Sequence, residues 1–379
     1  MNQKLHILFL CGWYPSKAFP TNGDFIQRHA EAVSLQHQVS VLHIVTDKNA
    51  SQNTVIDSQK INGVTAHIAY IKANAHPILK WIRFYKAYRQ LLKKIDSVDH
   101  IHVNTLFPFG IFALHLKWFK KIPFIISEHW SGYYRPQSKN ILFFERVISK
   151  IITKNAAFVC PVSNSLKNAM LHLGLKGNYI PVPNVVNTEL FSPIDKKEKQ
   201  FTIVHVSNME NACKNISGML KIAKQLETEI GSFTWKFIGG TSDQFKPLIE
   251  QLSFKQDTIQ FINHISQKEL ALHIQTAHLC VSFSNYETFG IAMTEAISCG
   301  IPVISTNTGI LNELDSEPFF TIISVKNEHA LFKELLAHHR QPYPENTTKM
   351  HGYIRKKFSD KVIAETFSKL YFTSIKLPS

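Results

Sequence analysis

The sequence predicts an α/β protein with two doubly wound, parallel β-sheets. Its 379 residues suffice for two domains, and 44% of them are apolar, with glycine and proline at ordinary levels. Short apolar runs of strand length alternate with segments of helical length along the chain. In residues 279–305 this alternation gives a strand, a loop, a helix and a second strand. Such a unit implies that its two strands are parallel.

The first half of the chain opens with the same alternation. Residues 5–11 predict a first strand, followed by a helix over 25–34 and a second strand over 39–45. Asn62-Gly63 between two alternating runs predicts a β-hairpin over 54–71. The other elements predicted in this half are a helix over 78–95, strands over 100–103, 123–127 and 158–162, and a helix from Ser163 to about 174.

The second half continues with strands predicted over 202–206, 235–238 and 259–261. Ser266 and Glu269 have the spacing of a capping box at the start of a helix over 267–276. Gly300, followed closely by Pro302, is expected to end the helix that begins near 290. A last helix is predicted over about 360–374.

The net charge of +14 is carried by the first half of the chain. Residues 1–187 contain 22 Lys and Arg against 8 Asp and Glu, whereas residues 188–379 contain 20 of each. This asymmetry suggests an anionic surface as partner, either a membrane or a nucleic acid. The predicted helix over 78–95 interleaves bases with aromatic residues, which suits a membrane interface, but an ordinary amphipathic helix packed on the sheet has the same pattern. No recognition motif for nucleic acid accompanies the charge, so we expect no nucleic-acid partner.

The cysteines indicate a reducing compartment. Cys11, Cys160, Cys213, Cys280 and Cys299 are scattered without C-x-x-C pairs or zinc-ligand spacing. They are expected to be reduced and buried in a cytoplasmic protein. The apolar run at 5–11 lacks the cleavage site of a signal peptide, and a first strand is the better interpretation. The G-x-G-x-x-G spacing of a dinucleotide site is absent, so no nicotinamide or flavin cofactor is expected.

Two carboxylates flank the start of the helix in the 279–305 unit. The backbone amides of Phe289, Gly290 and Ile291 are expected to point out of the helix start, where an anion such as a diphosphate is favoured. Glu287 lies before this start and Glu295 two turns into the helix. Carboxylates beside an anion site are explained if they accept hydrogen bonds from the hydroxyls of a ribose or a sugar ring. A loop carboxylate and an exposed helix carboxylate would be the structural alternative.

The string around these residues resembles a known signature. Ser-x-Tyr-Glu-Thr-Phe-Gly-Ile, then Glu-Ala, then Cys-Gly-Ile-Pro-Val-Ile, over residues 284–304, is similar to the E-x7-E motif of retaining glycosyltransferases of the GT-B fold, in particular family 4. The resemblance implies two Rossmann-like domains facing a central cleft, with the donor held mainly by the second domain and the acceptor by the first. It also implies that Glu295 binds the donor ribose, that the amides of 289–291 bind the diphosphate, and that Glu287 holds a hydroxyl of the donor sugar.

Other segments extend the resemblance along the chain. His129, after the predicted strand 123–127, matches the family's strand-end histidine and is expected to contact the donor sugar. Gly23 is expected to face the donor diphosphate and Asp24 the acceptor. Lys214 matches a phosphate-binding lysine, but Asn208 stands where many relatives have an arginine, and an amide supplies no charge to a leaving diphosphate.

Domain boundaries follow from the same resemblance. Residues 183–191 resemble the family's interdomain segment, and Gly309 and Glu313 resemble its G-G-x-x-E motif. We therefore predict an N-terminal domain over 1–187, to which a C-terminal helix at about 363–379 returns, and a C-terminal domain over 188–362.

The function implied by the resemblance is retaining sugar transfer from a UDP- or GDP-linked sugar without a metal or cofactor. The strands carry no D-x-D metal motif at their ends. His129 and Glu287 are the candidates nearest to the reacting sugar, and no residue is assigned as nucleophile or base. The basic first domain favours a glycan or lipid-linked acceptor of cell-surface polysaccharide synthesis, handled by a cytoplasmic protein at the inner face of the membrane. A nucleotide-sugar epimerase of the same fold and a basic nucleic-acid-binding protein remain the alternatives.

Overall fold

The computed structural model describes residues 4–50, 52–73, 76–341 and 346–377. The chain divides into two compact units, one from residues 1–185 and 360–379 and the other from 186–359. The division lies two residues before the expected domain boundary, and the return to the first unit begins three residues earlier than expected. Within the described residues, no helix is long and apolar enough to cross a bilayer.

The first unit is built on a seven-stranded sheet in the order β3-β4-β2-β1-β5-β6-β7. Its strands are β1 His6–Cys11, β2 Gln38–Asp47, β3 Thr54–Ile61, β4 Val64–Lys72, β5 His100–Asn104, β6 Phe124–Glu128 and β7 Phe158–Pro161. Neighbouring strands are parallel except in the predicted β3–β4 hairpin. The helices are α1 Asp24–Ser34, α2 Pro77–Leu92, α3 Gly110–Lys120, α4 Phe143–Asn155 and α5 Asn164–His172.

The second unit has a six-stranded, entirely parallel sheet in the order β10-β9-β8-β11-β12-β13. Its strands are β8 Thr202–Val206, β9 Thr234–Ile238, β10 Ile259–Ile262, β11 Leu279–Ser282, β12 Val303–Thr306 and β13 Phe320–Ile323. The helices are α6 Asn211–Lys214, α7 Ile216–Ile230, α8 Lys246–Leu252, α9 Gln267–Thr276, α10 Ile291–Ser298, α11 Glu328–Arg340 and α12 Thr347–Phe358. Ser266 and Glu269 form the predicted capping box of α9, and Gly300 has the expected left-handed φ of 75° after α10.

The last helix, α13 Asp360–Lys376, belongs to the first unit. Its buried residues Ile363, Ala364, Phe367, Leu370 and Tyr371 join the same apolar core as β1 and α1. The helix is also fixed by polar contacts to buried histidines. These are His37 with Ser368, His100 with Ser374 and His102 with Tyr371, at 2.9, 2.6 and 2.7 Å.

The strand order of each sheet determines where a ligand can bind. In an open parallel sheet, ligands bind beyond the carboxyl ends of the strands where the winding direction reverses. That point lies between β1 and β5 in the first unit and between β8 and β11 in the second. In the second unit the segments after these strands are 207–214 and 283–290, which contain the residues singled out from the sequence.

Candidate functional site

The two loops at the reversal point of the second unit are bound together by backbone contacts. The Asn285 amide donates to the Cys213 carbonyl at 2.7 Å, and its side-chain Nδ2 donates to the Ala212 carbonyl at 2.9 Å. The buried Cys213 thiol donates to the Tyr286 carbonyl at 3.3 Å. The short helix α6 is therefore held against the loop that carries Glu287. All five cysteines are buried and free, as the sequence predicts.

Lys214, the last residue of α6, meets Glu287 directly. Its Nζ donates to Glu287 Oε1 at 2.5 Å, and Ser284 Oγ donates to the same oxygen at 2.9 Å. The two side chains are 17% and 12% exposed. Burial is the largest single influence on the Lys214 ammonium and by itself would lower its pKa. The charge and hydrogen bond of Glu287, together with the nearby Cys213 and Glu210, outweigh burial and leave that pKa raised. A protonated ammonium, held in an ion pair with a carboxylate, therefore lies at the carboxyl ends of β8 and β11.

The start of α10 is shaped by two glycines. Gly290 precedes the helix with φ 81°, and the Ile310 amide donates to the Phe289 carbonyl at 2.9 Å. Gly309 has φ 68°, and a Cβ on it would lie 2.6 Å from that carbonyl oxygen. The first amides of an α-helix have no intrahelical acceptor and carry its positive partial charge. The 287–290 loop is thus fixed so that the helix start can bind an anion.

Glu295 lies on the second turn of α10 and is only 1% exposed. The structural alternative of an exposed helix carboxylate is therefore wrong. Seven residues lie between it and Glu287, and both belong to the same loop-and-helix unit. Its assignment as a ribose ligand stays a prediction.

Asn208, in the place of the expected arginine, is exposed. Its Oδ1 accepts a hydrogen bond from the Glu210 amide at 3.2 Å, which stabilises the turn into α6. The same loop packs on Gly239, where a Cβ would lie 2.4 Å from the Ser207 carbonyl oxygen. Lys221, on the following helix α7, is exposed. The departure from the family pattern at Asn208 is therefore real, and Lys214 is the base that the structure places next to Glu287.

In the first unit, a buried carboxylate organises the loops at the carboxyl edge of the sheet. Glu128 accepts hydrogen bonds from the amides of Leu106, His129 and Trp130 at 2.8, 2.8 and 2.9 Å, and from the Tyr133 hydroxyl at 3.2 Å. Burial raises its pKa although all four bonds oppose the shift. No sequence pattern identified this role of Glu128, because nothing in the sequence places Leu106 beside it.

His129 follows Glu128 and is buried, with 6% exposure. Its ring packs on Phe25 and His29, with centroid distances of 4.7 and 5.4 Å. Burial, reinforced by His29, lowers its pKa well below the usual value although the nearby Asn184 amide opposes the shift. Neither ring nitrogen has a hydrogen-bond partner within the described part of the chain. His129 is thus a neutral imidazole at the strand end, where the sequence predicts a ligand contact.

Gly23 and Asp24 form the start of α1. Gly23 has φ 80°, and a Cβ on it would lie 2.6 Å from the backbone carbon of Trp13. Asp24 is 39% exposed, and its Oδ2 accepts a hydrogen bond from Nη2 of the buried Arg28 at 3.2 Å. Gly23 is therefore required for close packing of the 12–24 loop. The contacts of Gly23 with the donor and of Asp24 with the acceptor stay predictions.

A cavity of about 450 Å³ lies at the carboxyl edge of the first sheet. Aromatic side chains of α2 and of the loop after β5 form much of its wall, and one base joins them. Its lining includes Lys80, Trp81, Phe84, Phe107, Phe109 and the backbone at Gly12. The sequence showed the aromatic and basic residues of α2 but not the enclosure, because residues 107–109 are brought to α2 by the sheet order.

Comparison with known proteins gives matches along most of the chain. Residues 26–190 match the family model described as Glycosyltransferase Family 4, and residues 186–338 match the model described as Glycosyl transferases group 1. An uncharacterized glycosyltransferase of Methanocaldococcus jannaschii is 26% identical over 325 residues, which is 84% of this chain and 85% of that protein. The alpha-monoglucosyldiacylglycerol synthase of Streptococcus pneumoniae is 22% identical over 62% of this chain and 58% of its own length.

Solved structures share the two-domain architecture. The sucrose-phosphate synthase of Thermosynechococcus elongatus superposes with a TM-score of 0.80 at 18% identity, covering 98% of this chain and 99% of that one. The Anabaena protein HepE, solved in complex with UDP-glucose, superposes with a TM-score of 0.73 at 14% identity, covering 97% and 100%. At these identities the likeness shows the fold.

Proposed function

Because this chain is a glycosyltransferase of the GT-B fold that resembles family 4, we propose that it transfers a sugar from a UDP- or GDP-sugar with retention and without a metal ion. The observation that carries the donor proposal is the arrangement at the reversal point of the second unit. There, Lys214, Glu287 and the start of α10 converge on one edge of the sheet. UDP-glucose in the HepE structure is the reason to test uridine nucleotides first.

The arrangement supplies what the departing diphosphate requires. When the bond between the sugar and the diphosphate breaks, negative charge develops on the phosphate oxygens, and fixed donors at that point lower the barrier. The amides of Phe289, Gly290 and Ile291 and the Lys214 ammonium are the donors we assign to this task. A helix start and one ammonium together provide positive charge without a metal ion.

The carboxylates are assigned to hydroxyl groups. Glu287 is positioned by Lys214 and Ser284, and we assign it to a hydroxyl of the donor sugar, with Glu295 binding the ribose. In the first unit, the unpartnered nitrogens of His129 support a contact with the sugar, and Gly23 is assigned to the donor side of the reaction. Asp24 is assigned to the acceptor.

The cavity of the first unit is proposed to receive the acceptor. Trp81, Phe107 and Phe109 offer apolar and ring-stacking walls, and Lys80 offers a charge for a phosphate. This chemistry suits a lipid-linked or glycan acceptor. Cell-surface polysaccharide synthesis is the proposed setting.

A thermal-shift experiment tests the donor proposal without knowledge of the acceptor. UDP, GDP and ADP are compared, because a ligand that binds only the folded state raises the melting temperature. We expect one of them to stabilise the wild type and to give a smaller shift with Glu295→Gln and Glu295→Ala, each measured against its own ligand-free value. Glu250→Gln, at an exposed residue of α8, is the matched control. No shift with any nucleotide would contradict the donor site.

Product analysis tests the reaction itself. An alkyl glycoside serves as acceptor, and the configuration of the new bond is read by NMR, with and without EDTA. We expect an alkyl disaccharide with the donor's anomeric configuration, formed equally in EDTA. Conversion of the donor sugar without acceptor would instead identify an epimerase, and loss of product in EDTA would contradict metal independence.

A further inference from the structure

The N-cap and first turn of α4 expose three large apolar side chains in succession. Leu142, Phe143 and Phe144 are 70, 74 and 76% exposed. The same face continues along the helix with Val147 and Ile151. Isolated apolar residues are ordinary on a protein surface, but a contiguous group marks a surface that binds a partner.

The first two turns of α2 expose a second such group. Ile78, Leu79 and Ile82 are 65, 47 and 44% exposed. Helix α2 follows β4, and helix α4 follows β6. Both strands pair in parallel with a neighbour, so each helix runs from the carboxyl ends of the strands back to their amino ends. Their first turns therefore both lie at the carboxyl edge, where the cavity opens. We call these six residues, Ile78, Leu79, Ile82, Leu142, Phe143 and Phe144, the apolar edge.

The helix α3 connects the two groups in one layer. Tyr88 of α2 stacks on Phe112 of α3 with a centroid distance of 3.8 Å. At the other side of α3, Lys117 Nζ donates to the Asn155 carbonyl at the end of α4, at 2.8 Å. The three helices thus form a continuous layer on one face of the sheet, with the apolar edge along one end.

The charge of this layer identifies its partner. Across α2, α3 and α4 there are nine bases and one acid, Glu145. Protein interfaces are depleted in lysine, whereas an anionic bilayer attracts Lys and Arg and accepts aromatic and aliphatic side chains at the depth of its headgroups. We infer that the α2–α3–α4 layer binds an anionic lipid bilayer, with the apolar edge inserted among the headgroups.

This orientation turns the cavity towards the lipid. Lys80 and Trp81 line the cavity and lie between Leu79 and Ile82 of the apolar edge on α2. A lipid-linked acceptor could then enter the cavity without leaving the bilayer. The inference rests on the proposed function only in taking the acceptor to be lipid-linked.

Vesicle flotation of the full chain tests the inference. Phosphatidylcholine vesicles with and without phosphatidylglycerol are the probes, and no donor is added. We expect binding to the anionic vesicles that weakens with added salt, and at least about ten-fold weaker binding by L142S/F143S/F144S. The control variant L35S/L272S/I375S removes three exposed apolar side chains elsewhere and should bind like the wild type. Equal melting temperatures of the variants show that each is folded.

Two results would overturn the inference. One is wild-type binding that does not depend on anionic lipid or on the Leu142–Phe144 side chains. The other is a wild type that does not bind vesicles but forms a dimer, where L142S/F143S/F144S is a monomer. That result would assign the surface to a second copy of the chain. The nucleotide-dependent thermal shift of L142S/F143S/F144S separates the two proposals, because we expect it to equal that of the wild type whatever happens with vesicles.

Discussion

Lys214 and Glu287 are joined by a hydrogen bond of 2.5 Å between Nζ and Oε1, although they follow different strands and lie 73 residues apart. The bond fixes the ammonium at the end of a four-residue helix that would otherwise hold it loosely. It also holds the carboxylate in place before the start of α10. Each side chain is therefore positioned by the other, and substitution of either should affect both.

Lys214→Ala should weaken binding of the nucleotide identified by thermal shift about 10- to 100-fold, because a hydrogen bond from a charged donor contributes about 1.5–3 kcal/mol. Titration calorimetry with UDP and GDP measures the change. The exposed Lys221→Ala on α7 removes the same charge outside the contact and is the control. Equal affinities of Lys214→Ala and wild type would remove Lys214 from the donor site.

Gly309→Ala should lower both the stability and the nucleotide affinity. Its φ of 68° is unfavourable for alanine, and the new Cβ would lie 2.6 Å from the Phe289 carbonyl oxygen and displace the 287–290 loop. Such backbone strain costs about 1–3 kcal/mol, measurable by urea unfolding. Gly231→Ala is the control, because Gly231 has a similar φ of 79° but a Cβ there would have no atom within 4 Å. It therefore measures the backbone strain without the steric clash. If both variants lost the same nucleotide affinity, contact with the loop would not be the cause.

Local patterns predicted most elements and the main site segment. The β3–β4 hairpin, the capping box of α9 and the termination of α10 at Gly300 follow from residues close together in sequence. Contacts between distant residues could not be predicted in this way. Glu128 binds the Leu106 amide 22 residues away, and the Lys214–Glu287 bond spans 73 residues. A sequence shows such residues, but only the strand order decides which of them meet.

Phe367→Ala should destabilise the protein by about 3–5 kcal/mol, the usual cost of removing a fully buried aromatic ring. Phe367 is 0% exposed within the core of the first unit, although it lies in the last helix of the chain. Ile375→Ala, on the same helix and 42% exposed, is the control and should change stability by no more than about 0.5 kcal/mol. A small effect at Phe367 would mean that α13 contributes little to the folding of this unit.

Stability should fall as the pH decreases from about 6.5 to 4, because the first unit buries neutral histidines. Burial lowers the pKa of His29 and His43 to about 4 and that of His100 to about 3, compared with about 6.5 in the unfolded chain. Between these values the unfolded chain binds more protons, so the stabilisation is fully present above pH 6.5 and is lost below it. Each such histidine accounts for up to about 3 kcal/mol.

Urea unfolding across this pH range, compared between the wild type and His43→Gln, measures the contribution of one histidine. His43 Nδ1 donates to the Cys11 carbonyl at 2.9 Å, and glutamine retains a donor without binding a proton. The unfolding free energy of His43→Gln should therefore depend less steeply on pH than that of the wild type. The difference in slope corresponds to the one proton that His43 takes up on unfolding. The same substitution at the exposed His329 is the control. An unchanged slope in His43→Gln would mean that the acid sensitivity arises from other groups.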